Sequence, residues 1–155
     1  MTKLLLSVHV LAAILAIGPV AVAASMFPAT LRRALGEGGE ARTTLRVLHR
    51  ICRIYAGIGI VVPVFGFATA SSLGVLGDAW LIVSILLTAV AAGVLALLIL
   101  PAQDRALTEA GSPGASPRPA TRAPGRLAMI TGIFNLLWAA VTVLMIIRPG
   151  STTGV

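Results

Sequence analysis

Residues 79–100 read AWLIVSILLTAVAAGVLALLIL, a run of 22 residues without a charged side chain. A helix needs about 20 apolar residues to cross a hydrocarbon layer of about 30 Å. Three further runs are of the same kind: Leu4–Ala24, Ile54–Leu76 and Leu127–Ile147. Because a helix satisfies its own backbone hydrogen bonds in lipid, the four runs predict an all-α membrane protein, a bundle of four transmembrane helices.

The overall composition supports a membrane protein and excludes an ordinary soluble domain. Of the 155 residues, 57% are hydrophobic and 11% are charged, and the mean hydropathy is +0.99. Soluble domains carry about twice that share of charged residues. We expect one domain, residues 1–155, with helices at about 4–26, 45–73, 79–100 and 127–147. The segment 111–125, GSPGASPRPATRAPG, is rich in Pro, Ala, Ser and Gly and predicts a mobile linker.

The basic residues predict the orientation of the chain. Only Lys3 and Arg148 lie outside the two long connections between the runs. The other ten lie between the first and second runs or between the third and fourth, and they are Arg32, Arg33, Arg42, Arg46, Arg50, Arg53, Arg105, Arg118, Arg122 and Arg126. The positive-inside rule therefore places both long loops in the cytoplasm and both termini outside. Arginine outnumbers lysine 11 to 1, which is typical of a GC-rich bacterial genome. We expect a multi-pass protein of a bacterial plasma (inner) membrane.

The first run has an alternative interpretation as a cleaved signal peptide. Lys3, the run to Ile17 and the small residues Ala21 to Ala23 resemble a signal peptide with its cleavage site. Cleavage would leave three spans and would send the arginine-rich segment outward, which the charge rule disfavours. We therefore expect the first helix to be retained.

Four arginines fall on one stripe of the second helix, and they predict a contact with lipid headgroups. They are Arg42, Arg46, Arg50 and Arg53. The net charge is +7, but the basic residues lie in the gaps between the apolar runs rather than on a folded basic face. The charge therefore indicates no nucleic-acid partner. The arginines are either ordinary interfacial anchors or a site for anionic lipid.

His9 is the candidate cofactor ligand. It lies inside the first apolar run, and an ionisable residue within a span usually faces the bundle and often marks function. A neutral imidazole binds haem or transition metals well. The alternative is a structural histidine that hydrogen-bonds to a backbone, Ser or Thr group of a neighbouring helix. His49 lies near the opposite face of the membrane, so the two histidines cannot share one metal.

Small and polar residues predict how the helices pack. A stripe on the third helix (Ser84, Thr88, Ala92 and Ala96) predicts close packing, with Leu95 facing lipid. Asn135, near the middle of the fourth helix, predicts an interhelical hydrogen bond. Pro19 and Pro63 predict kinks. The single cysteine, Cys52, excludes a multi-cysteine metal site.

The stretch from Ser7 to Ala13 with His9 at its centre, followed by Gly18, resembles the first helix of an uncharacterised family of small four-helix bacterial membrane proteins. The residues from Asp78 to Leu81 and the arginine-rich entry to the second helix are similar as well. That family is distantly similar to the copper-resistance D type and to the haem-binding, J-type protoporphyrinogen oxidase. The resemblance implies that His9 corresponds to a haem b or metal ligand, although the third helix lacks the partner ligand of the oxidase pattern.

The sequence favours a non-enzymatic membrane protein that forms a homo-oligomer or joins a larger membrane assembly. Catalytic residues and a metal site are not predicted. One alternative is a redox protein that binds haem b or a metal through His9. A second alternative is a small transporter built from two hairpins, because Phe27-Pro28-Ala29 and Leu100-Pro101-Ala102 follow the first and third runs in similar contexts.

Overall fold

The computed structural model describes residues 2–36, 39–111 and 123–150, and within these residues the chain folds into helices and contains no strand. The helices are α1 (Thr2–Gly36), α2 (Gly39–Ile58), α3 (Val61–Leu73), α4 (Ala79–Gly93), a π-helical segment (Val94–Ile99), α5 (Leu100–Gly111) and α6 (Ala123–Ile147). Four continuous stretches are long and apolar enough to cross a membrane: Lys3–Leu35, Gly39–Leu73, Ala79–Gly111 and Pro124–Ile147. The predicted fold class is confirmed. We call these stretches spans one to four.

Three of the spans are longer than the apolar runs that predict them. Span one continues to Leu35 rather than ending near 26, span two begins at Gly39 rather than near 45, and span three continues to Gly111 rather than ending near 100. A helix of 33–35 residues is about 50 Å long, whereas the hydrocarbon layer is about 30 Å thick. The extra turns all lie at one end, where α1 and α5 finish and α2 and α6 begin. We call this the arginine-rich end, and the opposite end the termini end.

The segment expected to be a linker is helical at both of its ends. Gly111 is the last residue of α5, and α6 begins at Ala123, so it includes Gly125. The remainder of the expected linker, residues 112–122, lies outside the described residues.

The main core lies towards the arginine-rich end and draws on all four spans. Its fully buried side chains include Phe27 of α1, Leu45 of α2, Ile99 of span three and Phe134 of α6. The extra helical turns join this core because each presents an apolar stripe. At the termini end a smaller cluster forms around Trp80, and α3 packs against α1. The bundle is therefore held most firmly at the arginine-rich end.

Proline interrupts the helical hydrogen bonding of span two, and a π-helical segment lies close to a proline in span three. Pro63 has no N–H to donate to the Gly59 carbonyl, so the Val62 N–H makes a shorter-range bond to that oxygen at 3.2 Å, and the break between α2 and α3 lies at Gly59 and Ile60. In span three the π-helical segment ends at Ile99, two residues before Pro101. The helix is broken beside Pro63, where a kink is expected, and α1 continues as one helix through Pro19.

A tight turn links spans two and three at the termini end. Gly74 ends α3 in the left-handed conformation (φ 71°), which glycine adopts without a steric penalty, and the Val75 N–H reaches back to the Ala70 carbonyl at 3.2 Å. Beyond the turn, Trp80 Nε1 donates to Asp78 Oδ2 at 2.9 Å. The guanidinium of Arg148 lies 5.6 Å from the centre of the Trp80 ring. These contacts tie the start of α4 to the end of α6.

Candidate functional site

His9 is buried between spans one and two and bonds to a backbone carbonyl. The residue is 9% exposed, and Nδ1 lies 3.0 Å from the carbonyl oxygen of Val62 in the first turn of α3. A carbonyl can only accept, so Nδ1 carries the hydrogen and donates it. The backbone partner on an adjacent helix is the contact expected of a structural histidine.

Gly66 makes this contact possible because it leaves room for the ring. A Cβ atom at position 66 would lie 2.8 Å from Cε1 of His9 and 3.2 Å from Nδ1. Carbon atoms in contact normally lie about 3.5–4.0 Å apart. The imidazole therefore packs directly on the backbone of α3, and a larger residue at position 66 would require the ring to shift.

The surroundings of His9 do not fit haem b. With the hydrogen on Nδ1, a neutral ring leaves the lone pair of Nε2 free, as in metal-bound histidines. However, the ring is nine-tenths buried against Gly66, so a porphyrin could reach Nε2 only if α1 and α3 separated. Within the described residues no group of three or more His, Cys, Asp or Glu side chains is placed to hold a metal ion.

Asn135 has the interhelical hydrogen bond that its position predicts. Its Nδ2 donates to Oγ of Ser25 on α1 at 3.0 Å, and the Ser25 hydroxyl donates in turn to the carbonyl of Ala21 at 2.6 Å. Asn135 Oδ1 and the nearby Trp138 Nε1 are buried without a hydrogen-bond partner among the described residues. This level of α6 thus has polar groups that the described chain does not satisfy.

The buried face of span three differs from the stripe of small residues that the sequence predicts. Ser84 is fully buried and Thr88 is half-buried, but Ala92 and Ala96 are exposed, and Leu95 is buried instead of facing lipid. A spacing of four residues drifts about 40° per step around an α-helix, so the stripe rotates out of the core. The buried face continues through Ala91, Leu95 and Ile99.

A polar cluster at the arginine-rich end joins α2 to α5. Nδ1 of His49 lies 3.1 Å from Oε1 of Gln103, and the Gln103 amide donates to Sγ of Cys52 at 3.7 Å. Nε2 of His49 lies 3.8 Å from Oδ1 of Asp104. Gln103 and Cys52 are fully buried, His49 is 9% exposed, and the Asp104 side chain is 74% exposed. The cluster therefore runs from the core to the surface.

The stripe of arginines on α2 lies on the surface of the arginine-rich end. Its four members, Arg42, Arg46, Arg50 and Arg53, are exposed. Arg42 and Arg46 border a cleft between α2 and α5 with a volume of about 20 Å³, room for one water molecule. In the part of the chain that the structure describes, no arginine forms an ion pair with a carboxylate. These guanidiniums are free to meet an external anion.

The comparison with protein families matches nearly the whole chain. Residues 3–149 match the family described as "Predicted integral membrane protein (DUF2269)". The chain belongs to this family. No curated protein and no solved structure matches it at a significant level. As a DUF2269 family member with four membrane-spanning stretches, it is a multi-pass integral membrane protein.

In this DUF2269 chain the sequence pointed to His9 and Asn135, but it missed Gly66 and Gln103. Gly66 is one of several glycines near Pro63, and no sequence pattern distinguishes the one that faces a histidine. Gln103 lies beyond the third apolar run, which ends at Leu100, so hydropathy alone does not indicate that it is buried. The spacing of Ile99, Gln103, Ala106 and Ala110 by three and four residues was the signal that could have found it.

Proposed function

We propose that this chain is a non-enzymatic membrane protein whose helices assemble with those of a second copy. Its place is a bacterial inner membrane, with both termini outside and the arginine-rich end in the cytoplasm. The observation that carries the proposal is the Ser25–Asn135 hydrogen bond, which lies on the periphery of the bundle between α1 and α6. In lipid, polar side chains on a helix surface are typical of helix–helix interfaces.

Small residues flank this bond along both helices. On α6 they recur at alternating spacings of three and four around Asn135: Ala128, Gly132, Ala139 and Thr142. On α1 the residues that share the face of Ser25 are Gly18, Ala21 and Ala29. At 100° per residue each set lies within an arc of about 80°. We call the two sets together the α1–α6 seam.

The seam has room for another helix. A Cβ atom added at Gly18 or at Gly132 would meet no other atom within 4 Å, so neither glycine is needed for a contact inside the chain. Small residues at spacings of three and four let two membrane helices approach closely, and a single central Asn can specify the oligomeric state. A second copy presents the same seam, so a twofold-symmetric dimer satisfies both surfaces.

Counting subunits in lipid nanodiscs by native mass spectrometry tests the assembly. The wild type should give a dimer or a higher oligomer, and Gly132→Leu should give a folded monomer because the larger side chain fills the seam. Gly93→Leu is the matched control, since a Cβ there also meets no atom within 4 Å, and it should leave the oligomer intact. A wild type that is monomeric at every protein-to-lipid ratio would refute the proposal.

Anionic lipid headgroups are the proposed partners of Arg42, Arg46, Arg50 and Arg53. Support comes from their exposure and from the absence of carboxylate partners in the described chain. A juxtamembrane Lys or Arg gains about 1 kcal/mol from an anionic surface. Replacing all four by Gln should reduce the phosphatidylglycerol retained on purification relative to phosphatidylethanolamine, whereas replacing Arg32 and Arg33 should reduce it less.

The redox alternative rests on the resemblance of the first helix to the copper-resistance D and J-type oxidase group. The free lone pair of His9 Nε2 favours it, and the burial of the ring against Gly66 weighs against it. Protein incubated with haem b should develop an absorbance that His9→Ala removes and His49→Ala retains if His9 is a ligand. We expect the protein to stay colourless.

A further inference from the structure

A charged cluster at the termini end takes no part in the proposed assembly or in the proposed contact of the α2 arginines with lipid. It consists of Asp78 and Trp80 at the start of span three and Arg148 directly after span four. We call it the termini-end cluster. Span four has 24 residues and is therefore about 36 Å long, close to the thickness of a hydrocarbon layer of about 30 Å. The cluster thus lies at the level of the lipid headgroups.

The carboxylate of Asp78 is turned away from the helix that it precedes. Asp78 is the N-cap of α4, a position where an aspartate usually accepts from the first free backbone N–H groups. Here the side chain makes no such bond, and Oδ2 accepts from Nε1 of Trp80 at 2.9 Å. No cation within the described residues lies within 4 Å of this carboxylate. Its charge is therefore open to a cation from outside.

Arg148 is held beside the same ring in a strained backbone conformation. Its φ is 45°, in the left-handed region that residues other than glycine rarely adopt. Nε donates to the carbonyl of Met145 at 3.3 Å, and the guanidinium carbon lies 5.6 Å from the centre of the Trp80 ring. These contacts leave the two terminal nitrogens of the guanidinium for another acceptor. Backbone strain of this kind is concentrated at functional sites.

The two charges of the cluster are opposite, but they do not pair with each other. Asp78 lies at the N–H edge of the indole, and the guanidinium of Arg148 lies close to the same ring. In the described structure no nitrogen of Arg148 comes within 4 Å of an oxygen of Asp78, and both side chains are half-buried. A ligand that carries one positive and one negative group can pair with both residues. A ligand with a single charge is attracted by one of them and repelled by the other.

Apolar side chains beside the cluster indicate that this ligand has hydrocarbon chains. Ile82 lies four residues after Asp78 on the same side of α4, and Ile146 and Ile147 immediately precede Arg148. All three are exposed, on the part of the spans that faces the hydrocarbon layer. We propose that the termini-end cluster binds phosphatidylethanolamine. Arg148 pairs with its phosphate, Asp78 pairs with its ammonium, and the acyl chains lie along the exposed isoleucines.

The ammonium distinguishes this lipid from others that carry the same phosphate. A primary ammonium is a compact charge with three N–H donors for the Asp78 carboxylate. A choline headgroup has no N–H to donate, and a glycerol headgroup has no positive charge, so its phosphate would lie beside an unpaired carboxylate. The site is formed by one chain and lies at an interface in either orientation, so it does not depend on the proposed assembly or topology.

Fluorescence quenching of Trp80 by brominated lipids tests the preference at the site itself. The chain has two tryptophans, so Trp138→Phe leaves Trp80 as the only one. In bilayers of phosphatidylcholine, the association constant of brominated phosphatidylethanolamine at Trp80 should exceed that of brominated phosphatidylglycerol about fivefold, because one unpaired charge separates the two lipids. Equal constants for the two lipids would overturn the proposal.

Substitution of Asp78 tests the recognition of the ammonium. Asp78→Asn should remove the preference, since the amide oxygen still accepts from the Trp80 N–H but carries no charge. Glu109→Gln, which changes an exposed carboxylate at the arginine-rich end, is the matched control and should preserve it. An excess of soluble glycerophosphoethanolamine should leave the quenching unchanged. A preference that survives in Asp78→Asn would refute the role of Asp78, and displacement by the soluble headgroup would refute a lipid ligand.

Arg148→Gly tests whether the strained backbone serves the ligand. Glycine adopts the positive φ without a steric penalty but cannot bind phosphate. Phosphatidylethanolamine should therefore raise the thermal unfolding midpoint of the wild type, and it should raise that of Arg148→Gly much less, because a ligand stabilises only the protein that binds it. An equal rise in both proteins would show that Arg148 does not bind the lipid.

Discussion

Replacing Gly66 by Ala should destabilise the bundle through a clash with His9. The added Cβ would lie 2.8 Å from Cε1 of His9, which is about 1 Å closer than a normal carbon contact. Overpacking of this kind costs about 1–3 kcal/mol. Movement of the ring would also break its bond to Val62, worth about 1 kcal/mol, while the better helix propensity of Ala returns at most about 1 kcal/mol. We expect a net loss of about 1–3 kcal/mol in the free energy of unfolding.

A double-mutant cycle separates the clash from other effects of the substitution. His9→Ala alone should cost about 1–2 kcal/mol, because it removes a buried hydrogen bond and its packing. In the double variant the space left by His9 accepts the new methyl group, so the combined cost should fall below the sum of the two single costs by about 1 kcal/mol or more. Steric-trapping or force-spectroscopy measurements of unfolding in bilayers provide these free energies. Gly57→Ala is the control in the same span, since a Cβ there meets no atom within 4 Å. Additive costs, or a Gly66→Ala variant as stable as the wild type, would refute the packing argument.

Three further substitutions or fusions test other parts of the structure. Ala91→Phe should cost about 1–3 kcal/mol because Ala91 is fully buried, whereas Ala92→Phe one residue away should leave the unfolding free energy nearly unchanged; equal effects would place the packing face elsewhere. Gln103→Leu keeps the side-chain volume but leaves Nδ1 of His49 without its partner, so thermal unfolding should show a loss of about 1–3 kcal/mol; an unchanged midpoint would mean that the cluster does not stabilise the fold. Reporter fusions after Gly38 should report the cytoplasm and fusions at Val155 the outside; a reporter after Gly38 that is active outside would overturn the orientation and revive the signal-peptide interpretation.

The apolar runs predicted the spans because crossing a bilayer imposes a length and a composition that local sequence displays directly. They failed at the arginine-rich end, where the helices continue beyond the apolar runs as amphipathic turns. There the signal is periodicity rather than mean hydropathy, and residues such as Leu45 and Ala106 are buried within otherwise polar stretches.

The details of the candidate sites depend on rotation about each helix axis, which sequence fixes poorly. A stripe of small residues at a spacing of four suggested the wrong face of span three. The buried residues instead follow Ser84, Ala91 and Leu95, which keep to one side of a helix with 3.6 residues per turn. For a structural His9 the sequence predicted a backbone, Ser or Thr partner on a neighbouring helix. That the partner is the Val62 carbonyl required knowledge of which helix lies beside α1.

The length of the spans has a consequence for how the protein sits in membranes of different thickness. Spans one to three are about 20 Å longer than a hydrocarbon layer of about 30 Å. Most of the surplus is at the end where Arg42, Arg46, Arg50 and Arg53 follow one another along about 16 Å of helix axis. When the bilayer is thicker or thinner, a different arginine of the stripe can lie at the level of the lipid phosphates. The free-energy cost of hydrophobic mismatch is then small. On the proposed contact of these arginines with lipid headgroups, the height of the chain relative to the polar surface is therefore adjustable.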